Sequence, residues 1–151
     1  MSKTKEEWQA IAATSIHTGK MANTLAKALA KRYSKRWQFV DFLGPNGRES
    51  AGIVDILAIR KSGGKPSATD AAGGLKRLDL FEIIVIQVKG GTAPKPSAAD
   101  INRMRLVNKR YHGEKIVLFQ WEKGNAAKTG VSVLRADDTW VAKSTSELFG
   151  A

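Results

Sequence analysis

The sequence contains no cysteine and only two histidines, His17 and His112. Without cysteine, the chain cannot form disulfides, cysteine-ligated zinc sites or thiol nucleophiles. The two histidines are too few and too widely separated to indicate a histidine-ligated metal centre. Metal or covalent chemistry based on these two residue types is therefore not expected.

Long apolar runs are also missing. No run approaches the length of a membrane span, and the amino-terminal residues 1–7 lack the apolar core of a signal peptide. No stretch combines a cationic face with a bulky apolar face that includes Trp or Phe, which disfavours binding to an anionic membrane surface. We therefore expect a soluble, cytoplasmic protein with no role at a membrane.

Acidic residues are scarce relative to basic ones. The chain has 14 Asp and Glu against 25 Lys and Arg, which gives a net charge of +11. Its 151 residues, of which 42% are hydrophobic, suffice for a single domain over residues 1–151 with a sizeable core. The excess of positive charge favours a polyanionic partner, and nucleic acid is the leading candidate.

Capping signals and apolar periodicity predict the helices. A capping box from Thr4 to Glu7 predicts an N-terminal helix within residues 1–17. A second helix starts at Thr18, a third at Ser97, and a short one at Ser144. The second helix is expected to bury a stripe formed by Met21, Leu25, Ala28 and Leu29.

Six apolar runs predict strands, over residues 37–43, 53–60, 79–91, 116–121, 131–135 and 140–142. The Gly-rich segment 61–78 cannot build a core and is predicted to be a long, flexible hairpin loop. Buried strands separated by helices indicate an α/β fold with a mixed central β-sheet flanked by helices. The tryptophans in these runs (Trp37, Trp121 and Trp140) are expected in the core.

Polar residues interrupt two of the most apolar strands. Gln87 and Lys89 point to the same face because side chains alternate along a strand, and Asp55 interrupts the upstream strand. Such groups are costly to bury without partners, which indicates one polar cluster inside the sheet. A buried ion pair that sets strand register is one interpretation; a catalytic site is the other.

The residue types in this cluster suit phosphodiester hydrolysis. That reaction needs a divalent cation, which neutralises charge and lowers the pKa of water, and Mg²⁺ prefers oxygen ligands. Asp55 supplies a carboxylate, and the Gln87 amide or the backbone carbonyl of Val88 supplies another oxygen. Lys89 is suited to orient water or to stabilise the developing negative charge.

The helix from Thr18, the segment GIVDILAI at residues 52–59 and the strand ending IQVK at residues 86–89 together resemble the PD-(D/E)XK nuclease superfamily. The pattern is most similar to Mrr-like restriction endonucleases and more distantly similar to Holliday-junction resolvases, over roughly residues 18–121. The resemblance implies a restriction-endonuclease-like core and a Mg²⁺ or Mn²⁺ cofactor. It also implies that Asp55 binds the metal, that Gln87 stands in for the second acid, and that Lys89 is the catalytic lysine.

The sequence departs from the family pattern in three places. Val54 stands where the superfamily name has proline, and Gln87 replaces a carboxylate. Many members carry a glutamate on the helix before the first strand, whereas residues 20–36 contain no acid and Asn23 is the nearest polar substitute. These departures are consistent with a one-metal site or an impaired site.

Three other acids are candidates for the missing ligand. Glu49 precedes the Asp55 strand and is the first choice, and Glu7 lies on the N-terminal helix. Glu82 lies on the same strand as Gln87 but has the wrong parity, so it is expected to face away from the site.

The leading functional prediction is a metal-dependent DNA endonuclease. The alternatives are a catalytically impaired DNA-binding protein of the same fold and a dimeric, structure-specific junction resolvase; RNA as the substrate also stays open, as does a homodimer. Four basic residues are expected to contact the nucleic-acid backbone: Lys20, Lys27, Arg103 and Lys109.

Overall fold

The computed structural model describes residues 4–5, 21–42, 52–90, 94–121 and 130–150. Its helices are α1 (residues 21–33), α2 (Ala68–Ala72), α3 (Ala98–Arg110) and α4 (Thr145–Phe149). Its strands are β1 (Gln38–Asp41), β2 (Ile56–Lys61), β3 (Phe81–Gly90), β4 (Lys115–Trp121), β5 (Gly130–Leu134) and β6 (Trp140–Lys143). Apart from Thr4 and Lys5, the predicted N-terminal helix lies outside these ranges.

All six strands form one sheet in the order in which they follow one another along the chain. Neighbouring strands are antiparallel, except that β3 and β4 are parallel. Helix α3 provides the crossover that a parallel pair requires. The expected α/β fold with a mixed sheet is therefore confirmed.

Helices cover both faces of the sheet. On β3, Ile84, Ile86 and Val88 belong to a core that includes residues of α1 and α4. Val85, between them, belongs to a second core that includes residues of α3. Because alternate side chains of a strand point to opposite faces, α1 and α4 lie on one side and α3 on the other. The predicted flanking helices are thus confirmed.

Helix α1 packs on the sheet through small residues. Its buried residues are Ala22, Ala26 and Leu29, which recur at helical spacing. The expectation that Ala28 belongs to this stripe is wrong, because Ala28 is exposed. Alanines at the contact allow the helix axis to lie close to the strands, and the larger Met21 packs at the margin of the core.

The connection between β2 and β3 is the predicted hairpin, since these two strands are antiparallel neighbours. It contains the short helix α2, whose N-cap is Ser67. No residue from 61 to 80 is buried. The prediction that this Gly-rich segment adds nothing to the core is therefore confirmed, although the segment does hold one helix.

The predicted caps of the later helices are also present. Ser97 Oγ accepts a hydrogen bond from the Asp100 N–H at 3.1 Å, and Asp100 Oδ2 accepts one from the Ser97 N–H at 3.2 Å. Helix α3 ends at Arg110. Ser144 caps α4, as expected. Among the described residues, no helix is long and apolar enough to cross a bilayer.

Candidate active site

Asp55 lies directly before β2 instead of inside the strand predicted over residues 53–60. Its backbone still extends the ladder: its N–H donates to the Ile86 carbonyl at 2.9 Å, and its carbonyl accepts from the Phe42 N–H at 3.1 Å. Its side-chain Oδ2 accepts a hydrogen bond from the Val88 N–H at 2.7 Å. The carboxylate thus takes the place of a backbone carbonyl, and the chain before Asp55 is free to leave the sheet.

Gln87 brings an amide to the same end of the β2–β3 pair. The antiparallel register pairs Ile56 with Ile86, so the next position places Asp55 beside Gln87. The Gln87 side chain is 6% exposed, and its Oε1 atom accepts no hydrogen bond from the described residues. An unsatisfied buried acceptor costs about 1–3 kcal/mol. The Oε1 atom is therefore suited to bind a cation or to accept a hydrogen bond.

The backbone of Val88 completes a set of three oxygens. In an antiparallel ladder, the N–H and the carbonyl of one residue point towards the same neighbouring strand. Because the Val88 N–H donates to Asp55, the Val88 carbonyl also lies on the Asp55 side of β3. The three residues predicted to supply oxygen ligands, Asp55, Gln87 and Val88, are therefore brought to one end of two paired strands.

Lys89 follows on the same strand. It lies on the same face as Gln87 and beside Gln120 of β4, and it is half-buried. Within the described part of the chain, its ammonium group forms no ion pair with Asp55. Lys89 is therefore close enough for its charge to influence Asp55, and its amine forms no ion pair with a carboxylate of the described residues.

Burial dominates the electrostatics of Asp55. It raises the pKa of the carboxyl group to about 6, because the charged form loses solvation. The hydrogen bond from the Val88 N–H and the positive charge of Lys89 both lower that pKa, but they offset the effect only in part. A cation bound at the carboxylate would favour its charged form.

The oxygen atoms predicted to bind the metal are of the kinds that suit one hard cation. Mg²⁺ is commonly held by one or two carboxylates and keeps several waters, and the residues here offer one carboxylate, one amide oxygen and one backbone carbonyl. In the described ranges, no group of three or more His, Cys, Asp or Glu side chains is placed to hold a metal. The described residues therefore offer one carboxylate, with two further oxygens of the kinds that Mg²⁺ accepts.

Of the three candidate replacements for the missing acid, only Glu82 lies within the described residues. Glu49 and Glu7 lie outside the described residues. Glu82 faces the opposite side of β3 from Gln87, as its parity predicted, and its Oε2 atom binds Arg60 Nε at 2.7 Å. Asn23 lies on α1, which packs on the sheet face opposite to Gln87.

The three predicted nucleic-acid contacts that the structure describes do not lie on one surface. Lys27 is exposed on α1, whereas Arg103 and Lys109 are exposed on α3, on the other side of the sheet. Arg103 Nη1 lies 3.9 Å from Asp100 Oδ1. Lys20 lies outside the described residues. Their role in binding stays a prediction.

Two features near the sheet were not foreseen. Asp41, at the end of β1, lies opposite Ile56 and so close to Asp55 in the sheet, but on the other face. At the far end of the sheet, basic residues from two segments line one cleft. The adjacent pairs Lys35-Arg36 and Arg60-Lys61 were the available signal, yet only strand pairing shows that they meet.

Comparison of the chain with protein-family models, with curated proteins and with solved structures found no match. The functional interpretation therefore depends on the site itself.

Proposed function

We propose that this chain is a metal-dependent endonuclease that hydrolyses phosphodiester bonds in DNA, of the PD-(D/E)XK type and with a restriction-endonuclease-like core. One observation carries the proposal. Asp55, whose carboxylate accepts the Val88 N–H, and Gln87, whose buried Oε1 has no partner among the described residues, lie at the same end of the paired strands. Lys89 lies on the same face as Gln87.

The order of elements supports the same assignment. Helix α1 precedes the strands, Asp55 stands at the start of β2, and Gln87 and Lys89 lie near the end of β3. This is the order that the resemblance to the superfamily implies. Antiparallel pairing of β2 with β3 explains how residues more than 30 positions apart come together.

Each residue has a role that follows from its position. A bound Mg²⁺ or Mn²⁺ would neutralise phosphate charge and activate water. Asp55, the Gln87 amide oxygen and the Val88 carbonyl would hold the ion. The Lys89 ammonium would stabilise the negative charge that develops on the phosphate, or orient the attacking water. Strands hold these groups rigidly, which suits a preorganised site.

The charge of the whole chain supports a nucleic-acid substrate. A net charge of +11 attracts a polyanion and favours contacts with its phosphates. DNA is the substrate that accords with the family resemblance. RNA is included as an arm of the test below.

A DNA-binding protein with an impaired site is the second candidate. Gln87 offers a neutral amide where a second carboxylate would bind metal more strongly, and the described residues supply no cluster of three ligating side chains. Metal affinity would then be low, while the net charge of +11 would still favour DNA binding. This candidate predicts salt-sensitive binding without turnover.

Cleavage assays separate the two candidates. Supercoiled plasmid, linear duplex, single strand, four-way junction and RNA would each be incubated with Mg²⁺, with Mn²⁺ and with EDTA. The wild type would be compared with Asp55→Asn, which keeps an acceptor for the Val88 N–H but removes the charge. Glu114→Gln is the matched control, since Glu114 is exposed and its side chain has no partner in the described ranges.

We expect metal-dependent products from the wild type and from Glu114→Gln, and none from Asp55→Asn. Preferred cleavage of the four-way junction would identify the activity as that of a resolvase. Binding without products under every metal condition would support the impaired protein. Equal cleavage by the wild type and by Asp55→Asn would refute the site.

A further inference from the structure

A cleft of about 730 Å³ lies at the end of the sheet opposite the candidate active site. It is formed where β1, β2 and β3 meet the start of the β2–β3 connection. Five charged residues line it, of which four are basic: Lys35, Arg36, Arg60, Lys61 and Glu82. The cleft is therefore an electropositive concavity that favours an anionic ligand.

Arg60 points to the face of the sheet opposite to Lys61 and Phe81, because side chains alternate along a strand. Its Nε atom donates to Glu82 Oε2 at 2.7 Å, and its guanidinium carbon lies 4.4 Å from the centroid of the buried Trp37 ring. The side chain is consequently fixed by an ion pair on a neighbouring strand and by a cation–π contact. Arg60 therefore adds positive charge near the cleft, but it does not share a face with Lys61 and Phe81.

The other three cations are exposed and uncompensated. Lys35, Arg36 and Lys61 are solvent-exposed, and no carboxylate of the described part of the chain pairs with them. Lys35 and Arg36 follow α1, whereas Lys61 ends β2. Cations from two separate segments therefore face one opening.

An exposed aromatic residue also lines the cleft, on the same face of the sheet as Lys61. Phe81 is 60% exposed and lies directly opposite Lys61 in the β2–β3 register. Exposed aromatic rings next to cations are the combination with which proteins bind single-stranded nucleic acid, because bases stack on the ring while cations contact the backbone. In a duplex the bases are already stacked on one another, so Phe81 favours a single strand.

We propose that this cleft binds single-stranded nucleic acid, with Lys35, Arg36 and Lys61 contacting phosphates and Phe81 stacking on a base. The site is separate from the candidate active site, since Phe81 and Lys89 are eight positions apart on one strand, or about 26 Å. The inference goes beyond the proposed nuclease activity and does not depend on it.

Binding would be measured in EDTA, where no metal-dependent cleavage occurs. Fluorescence anisotropy would report the affinity for a labelled oligothymidylate of about 12 nucleotides and for a duplex of the same length. The test variants are Phe81→Leu, which removes the ring, and Lys61→Gln, which removes one charge. The matched controls are Tyr111→Leu, at an aromatic residue that is 62% exposed elsewhere, and Lys143→Gln, on β6.

We expect tighter binding of the single strand than of the duplex. Phe81→Leu should weaken single-strand binding about 5- to 100-fold. Lys61→Gln should lower the slope of log K against log salt by about 0.7. Both controls should bind like the wild type, and thermal unfolding should be unchanged because Phe81 and Lys61 are exposed.

Wild-type affinity in both Phe81→Leu and Lys61→Gln would overturn the inference, as would duplex binding as tight as single-strand binding. An equal loss in Phe81→Leu and Tyr111→Leu would also overturn it. Asp55→Asn distinguishes the two proposals: it should retain wild-type single-strand affinity even though it abolishes any cleavage. Failure of the nuclease proposal would leave this affinity intact.

Discussion

At the scale of single residues, Asp55 combines a structural role with a chemical one. Its carboxylate accepts the Val88 N–H that the end of β2 would otherwise leave without a partner. The same position buries the group enough to raise its pKa to about 6. A carboxylate held in this way is tied to the strand beside it and gains from a bound cation.

The raised pKa makes the stability of the metal-free protein depend on pH. Since the folded state favours the protonated carboxyl, its contribution to stability is complete below the unfolded pKa of 3.8 and is lost as the pH rises through about 6. The loss corresponds to up to about 3 kcal/mol. Asp55→Asn should therefore be more stable than the wild type at pH 7.5 and similar to it at pH 4.

Urea unfolding in EDTA across this pH range would measure the difference. Glu114→Gln should follow the wild-type pH profile, because Glu114 is exposed. A constant difference in unfolding free energy between the wild type and Asp55→Asn from pH 4 to pH 7.5 would contradict the prediction.

Gln87 is a position at which the proposed cation site can be tested. Gln87→Glu places a second carboxylate beside Asp55, so like-charge repulsion should destabilise the metal-free protein at pH 7.5 by about 1–2 kcal/mol. Millimolar Mn²⁺ or Mg²⁺ should then raise the melting temperature of the variant more than that of the wild type. Thermal unfolding with and without metal measures both effects.

The control for this substitution is Gln38→Glu, at an exposed position of β1. Its melting temperature should respond to metal no more than that of the wild type. An equal response of Gln87→Glu and Gln38→Glu would indicate that Gln87 does not face a metal site.

At the scale of elements, the same capping chemistry has different consequences in two helices. Ser97 caps α3, which buries Ile101 and Met104 against the sheet, whereas Ser67 caps α2, which buries no residue. A cap stabilises the whole protein only if the helix it ends is coupled to the core.

Ser97→Ala should therefore lower the unfolding free energy by about 1 kcal/mol. Ser67→Ala is the matched control and should change it little, because α2 can fray without exposing core residues. Chemical denaturation of the two variants at one pH gives both values. A loss for Ser67→Ala as large as that for Ser97→Ala would show that α2 is coupled to the core.

At the scale of the whole molecule, the last helix completes the core. Phe149 is 1% exposed and lies among rings from α1, β1 and the segment between them. Its ring centroid is 5.3 Å from Phe39, 5.9 Å from Trp37 and 6.0 Å from Tyr33. The carboxyl-terminal end of the chain thus packs against its first described helix.

Removal of this ring should destabilise the fold strongly. Phe149→Ala should lower the unfolding free energy by about 3–5 kcal/mol, because it leaves a cavity among buried aromatic rings. Leu106→Ala, at a position that is 60% exposed, should change it by less than about 0.5 kcal/mol. A small effect of Phe149→Ala in urea unfolding would mean that α4 is not part of the cooperative core.

The two proposed sites lie at opposite ends of the same strands. Asp55 and Gln87 are at one end of the β2–β3 pair, and Arg60, Lys61 and Phe81 are at the other. One strand pair can carry both proposed sites because the apolar residues between its two ends form the core and keep the sites apart. A nucleic acid bound in the cleft would leave the candidate active site free for a second segment of substrate.

Local sequence patterns predicted most of the elements. The caps at Ser97 and Ser144, the apolar runs and the Gly-rich hairpin each depend on residues within a few positions of one another, and the structure bears them out. Ala28 was expected to be buried because it fits helical spacing with Leu25 and Leu29. Ala22 and Ala26 fit helical spacing with Leu29 equally well, and only packing against the sheet shows that they are the buried residues.

By itself, the sequence determined the mixed α/β fold, the excess of positive charge and the choice of Asp55, Gln87 and Lys89, since periodicity and residue chemistry are local properties. Tertiary structure alone decided that the Asp55 carboxylate takes the Val88 N–H, that Gln87 Oε1 is buried without a partner among the described residues, and that two basic pairs and Phe81 line one cleft. These facts depend on strand register and burial, which arise from contacts between distant segments of the chain.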